Sequence, residues 1–378
     1  MSKRILLFSL LYIVFVTCVL TGCGKNPPPF EELVDFVIEA EEGREFRILQ
    51  LSDIQIHDKS TYRIPGVEED STPLTEEELY EACFDYITEL VEEAQPDLII
   101  LTGDNIHGEL DDNGFCMTQL VAYMESLEIL WAPVFGNHDN ESLMGVTWQC
   151  QQFEQAEHCL FKRGNITGNS NYTIGIKQGN KLIKVLYMMD SNGCGLGYNY
   201  FPMPSFGPIN EGEKIKESDG FAADQVEWIE ATSAKITDAL GYAPSKFLAL
   251  HINFKEYADA LVAKGYMKND RLEKFTINDS TGTDFGTKGE LAAGFASTGL
   301  WDVLKAEKFD GVFAGHNHLN NYSVVYEGIR LTHGTKTGYF SYHKVGQVGG
   351  TLITVASGGA EFQVEHIYSS PYTGPSHA

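Results

Sequence analysis

The chain has 378 residues, 43% of them hydrophobic, including 22 Phe and 18 Tyr. Such a content builds a packed globule rather than a disordered chain, and the length allows one large domain or two small ones. A net charge of −26 repels a nucleic-acid backbone and excludes general DNA or RNA binding, whereas a small phosphorylated substrate stays compatible wherever bound cations reverse the local potential.

At the N-terminus Lys3 and Arg4 precede a run of uncharged, mostly apolar residues from Ile5 to Leu20, the pattern of an export signal. Its ending, Leu20-Thr21-Gly22-Cys23, resembles the lipobox of bacterial lipoproteins. That resemblance implies removal of residues 1–22, acylation of Cys23, and a chain exported and lipid-anchored to the cell membrane or envelope. An uncleaved anchor helix is the alternative, and either arrangement places the globular part outside the cytoplasm. Residues 23–35, with prolines at 27, 28 and 29, read as a tether. Five cysteines remain after Cys18 and Cys23, an odd number without a CxxC, so at least one is free or pairs between chains.

Residues 36–40 and 46–52 read as a hairpin leading into the first core strand. Thr75 with Glu78 has capping-box spacing and opens a helix to about residue 94. A buried-type strand at 97–102, a helix at 117–126, a strand at 129–135 and a helical stretch at 140–158 follow. The second half is richer in strands, at 172–176, 182–189, 247–252, 311–314, 323–326, 329–333 and 351–356, with helices at 222–240 and 299–306. Residues 192–220 and 254–297 lack periodicity and read as long loops, and 369–378 as a tail, leaving 36–368 as one domain. Mixed α/β giving way to a β-rich half fits two sheets packed together with helices outside.

Polar residues end the apolar strands in a recurring way. Asp53 closes the first; Gly103-Asp104-Asn105-Ile106-His107 and Gly136-Asn137-His138-Asp139 close the next two. His251 follows Phe-Leu-Ala-Leu, and Gly315-His316-Asn317-His318 follows Phe-Asp-Gly-Val-Phe-Ala. Ligands bind outside the carboxyl ends of strands in open α/β sheets, and glycine lets the backbone turn close to such a site.

This ordered set resembles the calcineurin-like metallophosphoesterase superfamily, whose blocks run D-x-H, G-D, G-N-H-D/E, H and G-H-x-H. Leu-Tyr-Met-Met-Asp-Ser, His-Ile-Asn-Phe-Lys-Glu-Tyr and Gly-His-Asn-His-Leu-Asn-Asn-Tyr resemble a branch of small plant and fungal proteins related to purple acid phosphatases. The resemblance implies a four-layer αββα sandwich and a centre of two divalent or trivalent metal ions, Mn, Fe or Zn, that clamps a phosphoryl group. By resemblance Asp104 bridges the ions, Asp53 and His318 face the first, and Asn137, His251 and His316 hold the second. His138 sits by the leaving-group oxygen as proton donor, with Asp139 orienting its imidazole.

One block departs from the pattern: Gln55 stands where the first block carries histidine. Gln55 through its amide oxygen or by holding a metal-bound water, His57 reaching back, or His107 three residues after Asp104 are the candidate replacements, with His107 beside Gln55 preferred and an unfillable first site as the remaining possibility. The implied function is hydrolysis of a small phosphate monoester or diester at the envelope. Its alternatives are a nucleotide-directed phosphodiesterase or 5′-nucleotidase, and a surface lipoprotein that binds a phosphorylated ligand without turnover.

Overall fold

The computed structural model describes residues 28–56, 76–108, 111, 113–142, 144–192, 221–268, 273–292, 294, 296–338, 341–344 and 346–368. The first half contains β1 (Phe36–Glu39), β2 (Phe46–Leu51), α1 (Glu76–Ala94), β3 (Leu98–Thr102), α2 (Phe115–Ser126), β4 (Trp131–Val134), α3 (Gly145–Gln155), β5 (Tyr172–Gln178) and β6 (Lys181–Met188). The second contains α4 (Ala223–Leu240), β7 (Ser245–Ala249), α5 (Glu256–Ala263), β8 (Phe275–Thr276), β9 (Thr287–Lys288), α6 (Leu300–Ala306) and β10 (Gly311–Ala314). It ends with β11 (Ser323–Tyr326), β12 (Ile329–His333), β13 (Gly350–Val355) and β14 (Phe362–Ile367).

Two sheets dominate: a seven-stranded one in the order β1-β5-β6-β7-β10-β12-β11 and a five-stranded one in the order β14-β13-β2-β3-β4. Side chains alternate across a strand, and the seven-stranded sheet uses both faces. Phe247 and Ala249 of β7 and Phe313 of β10 join Ile48 and Ile353 of the other sheet in one core. Leu248 and Val312, pointing the other way, pack with Ile229 and Ile236 of α4, Leu261 of α5 and Leu304 of α6. On the far side of the five-stranded sheet lie Leu90 of α1, Leu120 of α2 and Phe153 of α3. The result is the expected αββα order of layers. Among the described residues no helix is long and apolar enough to cross a membrane.

Three features differ from the sequence reading. β1 and β2 do not form a hairpin: β1 pairs in parallel with β5, while β2 lies between β13 and β3 in the other sheet. Six intervening residues, Ala40 to Glu45, are enough for the chain to change sheets, and each strand pairs elsewhere. The stretch 254–297 is not one loop, since it contains α5 and the small β8–β9 pair; an eight-residue helix and two-residue strands are too short to show a period. β14 escaped notice because its exposure alternates at a sheet edge without a buried apolar run. Of the cysteines, Cys83, Cys150 and Cys159 are free thiols, and Cys23, Cys194 and the 369–378 tail lie outside the described residues.

Phe247 ties the two sheets, its ring 5.2 Å from Phe313 and 4.7 Å from Phe362 across the interface. Phe247→Ala is expected to cost about 3–5 kcal/mol, read as a lower urea midpoint, and Phe362→Ala at its half-buried site clearly less. Equal losses at the two positions would contradict a shared core centred on Phe247.

Candidate metal centre

β2, β3 and β4 are mutually parallel, and so are β6, β7, β10 and β12. The carboxyl ends of these strands in both sheets meet at one seam. Asp53, Asp104 and Asn137 come from the five-stranded sheet; His251, His316 and His318 come from the other. Asp53, Asp104 and His316 turn inward through left-handed backbone, with φ of +54°, +50° and +74°, and Gln55 shares it at +52°. Non-glycine residues rarely adopt that conformation, which costs about 1–3 kcal/mol apiece.

The ligand-type atoms fall into sets. Those of Asp104, His251 and His316 lie within 4.8 Å of one another, and those of Asp53, Asp104 and His318 do likewise. Asp104 belongs to both. Asn137 Oδ1 lies 3.1 Å from His251 Nε2 and 2.9 Å from His316 Nδ1, while Asp104 Oδ1 is 3.3 Å from His251 Nε2. His251 Nδ1–H donates to the Thr102 carbonyl at 2.8 Å. That bond fixes the tautomer and leaves Nε2 facing two acceptor oxygens.

Charges follow from this packing. Burial works against a charged His251, but the Asp104 carboxylate and its hydrogen bond raise its pKa to about 9. Burial, reinforced by the His251 charge, pushes His316 down to about 4. For Asp104 burial is outweighed by the His251 and His138 fields, so its carboxyl lies well below the usual range. Burial likewise opposes ionisation of Asp53, yet the His318 hydrogen bond and the His251 field keep it ionised. A proton on Nε2 between Asp104 and Asn137 marks where a cation is wanted, and imidazole, carboxylate and amide oxygen suit a divalent transition metal. These residues fit such an ion.

Residues 46–320 match the calcineurin-like phosphoesterases. The chain belongs to that family. It is 24% identical over 372 residues to the "probable inactive purple acid phosphatase 14" of Arabidopsis thaliana, covering 91% of this chain and 81% of the relative. To the phosphatase DCR2 of Saccharomyces cerevisiae it is 29% identical over 306 residues, 76% of this chain and 46% of that one. Among solved structures, a dimetal phosphatase from Danio rerio superposes with a TM-score of 0.45 at 11% identity, covering 86% of this chain and 99% of the other.

Against the family pattern, two placements correct the sequence reading and a third differs from it. Gln55 does not present its oxygen to an ion. Lys336 Nζ lies 3.1 Å from Gln55 Oε1, and an ammonium only donates, so the amide oxygen faces lysine and Nε2–H donates to Asp104 Oδ2 at 3.2 Å. Asp139 does not orient His138. It is buried and accepts from the Gly136 and Ile106 amides at 2.7 and 3.0 Å and from Asn105 Nδ2 at 3.1 Å, bracing the loop after β4. Glu141 takes the orienting place, its Oε2 2.6 Å from His138 Nδ1. The His107 ring lies 4.5 Å from that of His138, and its ligand-type nitrogen groups with His138 and Glu141 instead of with Asp53 and His318. His57 lies outside the described residues.

Lys336 and Glu141 were missed because a search by ligand type passes over lysine and over an acid two residues beyond a motif. The only signal for Lys336 was its Gly-Thr-Lys-Thr-Gly setting after a strand, the same punctuation that marks the other sites.

A side chain at Gly136 would fall on the amide nitrogen and Oδ1 of Asp104, whereas one at Gly328 would meet open space. Gly136→Ala is therefore expected to weaken Mn(II) binding about 10–100-fold by isothermal titration, with Gly328→Ala unchanged. Equal affinities in the two variants would show that Asp104 does not need that clearance.

Proposed function

We propose that this chain is a metal-dependent hydrolase of small phosphate monoesters or diesters, working with two cations at the seam between the sheets. The observation that carries this reading is the sharing of Asp104 between two converging ligand sets. Asp104, Asn137, His251 and His316 would hold one ion, and Asp53, Asp104 and His318 the other. Mn, Fe and Zn all suit the donor set. Bound there, divalent cations polarise a phosphoryl oxygen and offset the charge that builds on the transferred group.

The chain's own contribution centres on His138. Its backbone N–H donates to Asp104 Oδ1 at 2.8 Å, and Glu141 grips Nδ1. The other ring nitrogen is then the one left to give its proton to the departing alcohol oxygen. Burial opposes the charged ring, but Asp104 and Glu141 raise its pKa from 6.5 to about 9. His138 so keeps its proton through neutral pH and loses it as pH climbs through that value.

With Mn(II), hydrolysis of p-nitrophenyl phosphate or its bis ester is expected, and His138→Ala should lower turnover about 10²–10⁴-fold with bound metal unchanged. Glu141→Gln removes the anion that favours the imidazolium, so the alkaline fall in rate should begin at lower pH than in the parent. An unmoved limb would remove Glu141 from this role. Absence of turnover on both esters, with metal bound, would favour the second reading, a protein that binds a phosphorylated ligand without cleaving it. The Lys336-bound amide of Gln55, and the word "inactive" in the name of the Arabidopsis relative, support that alternative.

The export signal and the residues around Cys23 support attachment to the envelope through acyl chains, which leaves the catalytic domain outside the cytoplasm. Cys23→Ser should then move the protein from the membrane fraction to the soluble one; retention in the membrane would point instead to an uncleaved anchor helix.

A further inference from the structure

Lys336 is an uncommon neighbour for a cation site. Its side chain is 1% exposed, and Nζ lies 2.5 Å from the Asp53 carbonyl oxygen and 3.1 Å from Gln55 Oε1. The segment that carries it is bound to the strand end bearing Asp53. Lys336 and Ser52 form a parallel bridge, Thr337 N–H donates to the Ser52 carbonyl at 2.7 Å, and Ser52 N–H donates to Thr337 Oγ1 at 3.1 Å. The ammonium is thus built into the fold and not a surface lysine that has swung inward.

Two consequences bear on the Asp53–Asp104–His318 set. Lysine occupies the carbonyl oxygen of Gln55, the atom able to ligate, and the amide it fixes puts an N–H on Asp104 Oδ2. A positive charge also stands beside the Asp53 backbone, held against burial, which lowers the lysine pKa to about 8, by the Asp53 and Asp104 carboxylates; there it offsets carboxylate charge and repels an incoming cation. The Asp104–Asn137–His251–His316 set also has an N–H on its carboxylate, from the His138 amide to Asp104 Oδ1 at 2.8 Å, but among the described residues it has no ammonium hydrogen-bonded to the backbone of one of its members.

We propose that Lys336 makes the centre unequal: it locks Gln55 out of the ligand set and fills part of the first site's need for positive charge, so one ion binds tightly and the second weakly. Lys336 is a positioning residue in this scheme, acting through Gln55 and through its charge. The inference rests on the two-cation reading above, but it is tested without substrate.

The test is a titration of the chelator-treated full-length chain with Mn(II), followed by calorimetry and by elemental analysis after dialysis. The parent should take up one tight equivalent and a second at least tenfold weaker. Lys336→Met, which keeps the length and apolar stem, should tighten the second equivalent several-fold; Gln55→His, which restores a lone pair, should tighten it at least tenfold. A lysine serving only to hold the fold predicts the opposite, loss of affinity together with a lower melting temperature. Two equal equivalents in the parent, or a second equivalent no tighter in any folded variant, would overturn the proposal. Unequal equivalents without hydrolysis would sink the esterase reading alone; equal equivalents with hydrolysis would sink only this one. Should neither variant fold, the parent titration still decides.

Discussion

Two carboxylates, Asp53 and Asp104, are buried side by side at the ends of neighbouring parallel strands, each 1% exposed. Removing a single carboxylate from water carries a penalty of several kcal/mol even after the protein relaxes. Such a pair persists only where positive charge or directed N–H groups surround it. The rest of the seam answers that need: the His316 amide donates to both Asp53 oxygens at 3.1 and 3.0 Å, the His138 amide and His251 address Asp104, and Lys336 stands behind Gln55. The electrostatics of this fold are organised around these two buried carboxylates.

The backbone bears part of the cost. Left-handed conformation at Asp53, Gln55, Asp104 and His316 is disfavoured for residues with a Cβ, yet it lets a chain leaving a strand fold back and aim its polar side chain at the seam. Glycine fills the flanking places where a Cβ would collide: Gly103 against the His251 ring, Gly315 against Ser52 and Asp53. Among the described residues eleven non-glycine residues adopt this conformation, and four of them, all polar, meet at this one place, as strain does at a site.

Much of this was legible beforehand. Continuous apolar runs marked β3 and β10, and the polar residues closing them marked the site, because a buried parallel strand must end where its backbone can meet water or a ligand. Sheet membership of β1 was not legible, since periodicity reports that a strand exists and not which neighbour it pairs with. Nor was the orienting partner of His138. Asp139 and Glu141 are both acids within one turn after it, and only the turn geometry decides that Asp139 points back to the Gly136 amide while Glu141 reaches the ring. Lys336 was hidden for a third reason: its role depends on a neighbour 281 residues away in sequence, Gln55, whose own meaning changes once lysine claims its oxygen.

The amide of His316 reaches the Asp53 carboxylate across 263 residues of intervening chain. Contacts of that separation close late, after loop entropy has been overcome by nearer ones. An unfolded full-length chain therefore carries these donor side chains without bringing them together. Any preference for one metal over another therefore belongs to the finished tertiary structure and not to the donor residues taken singly.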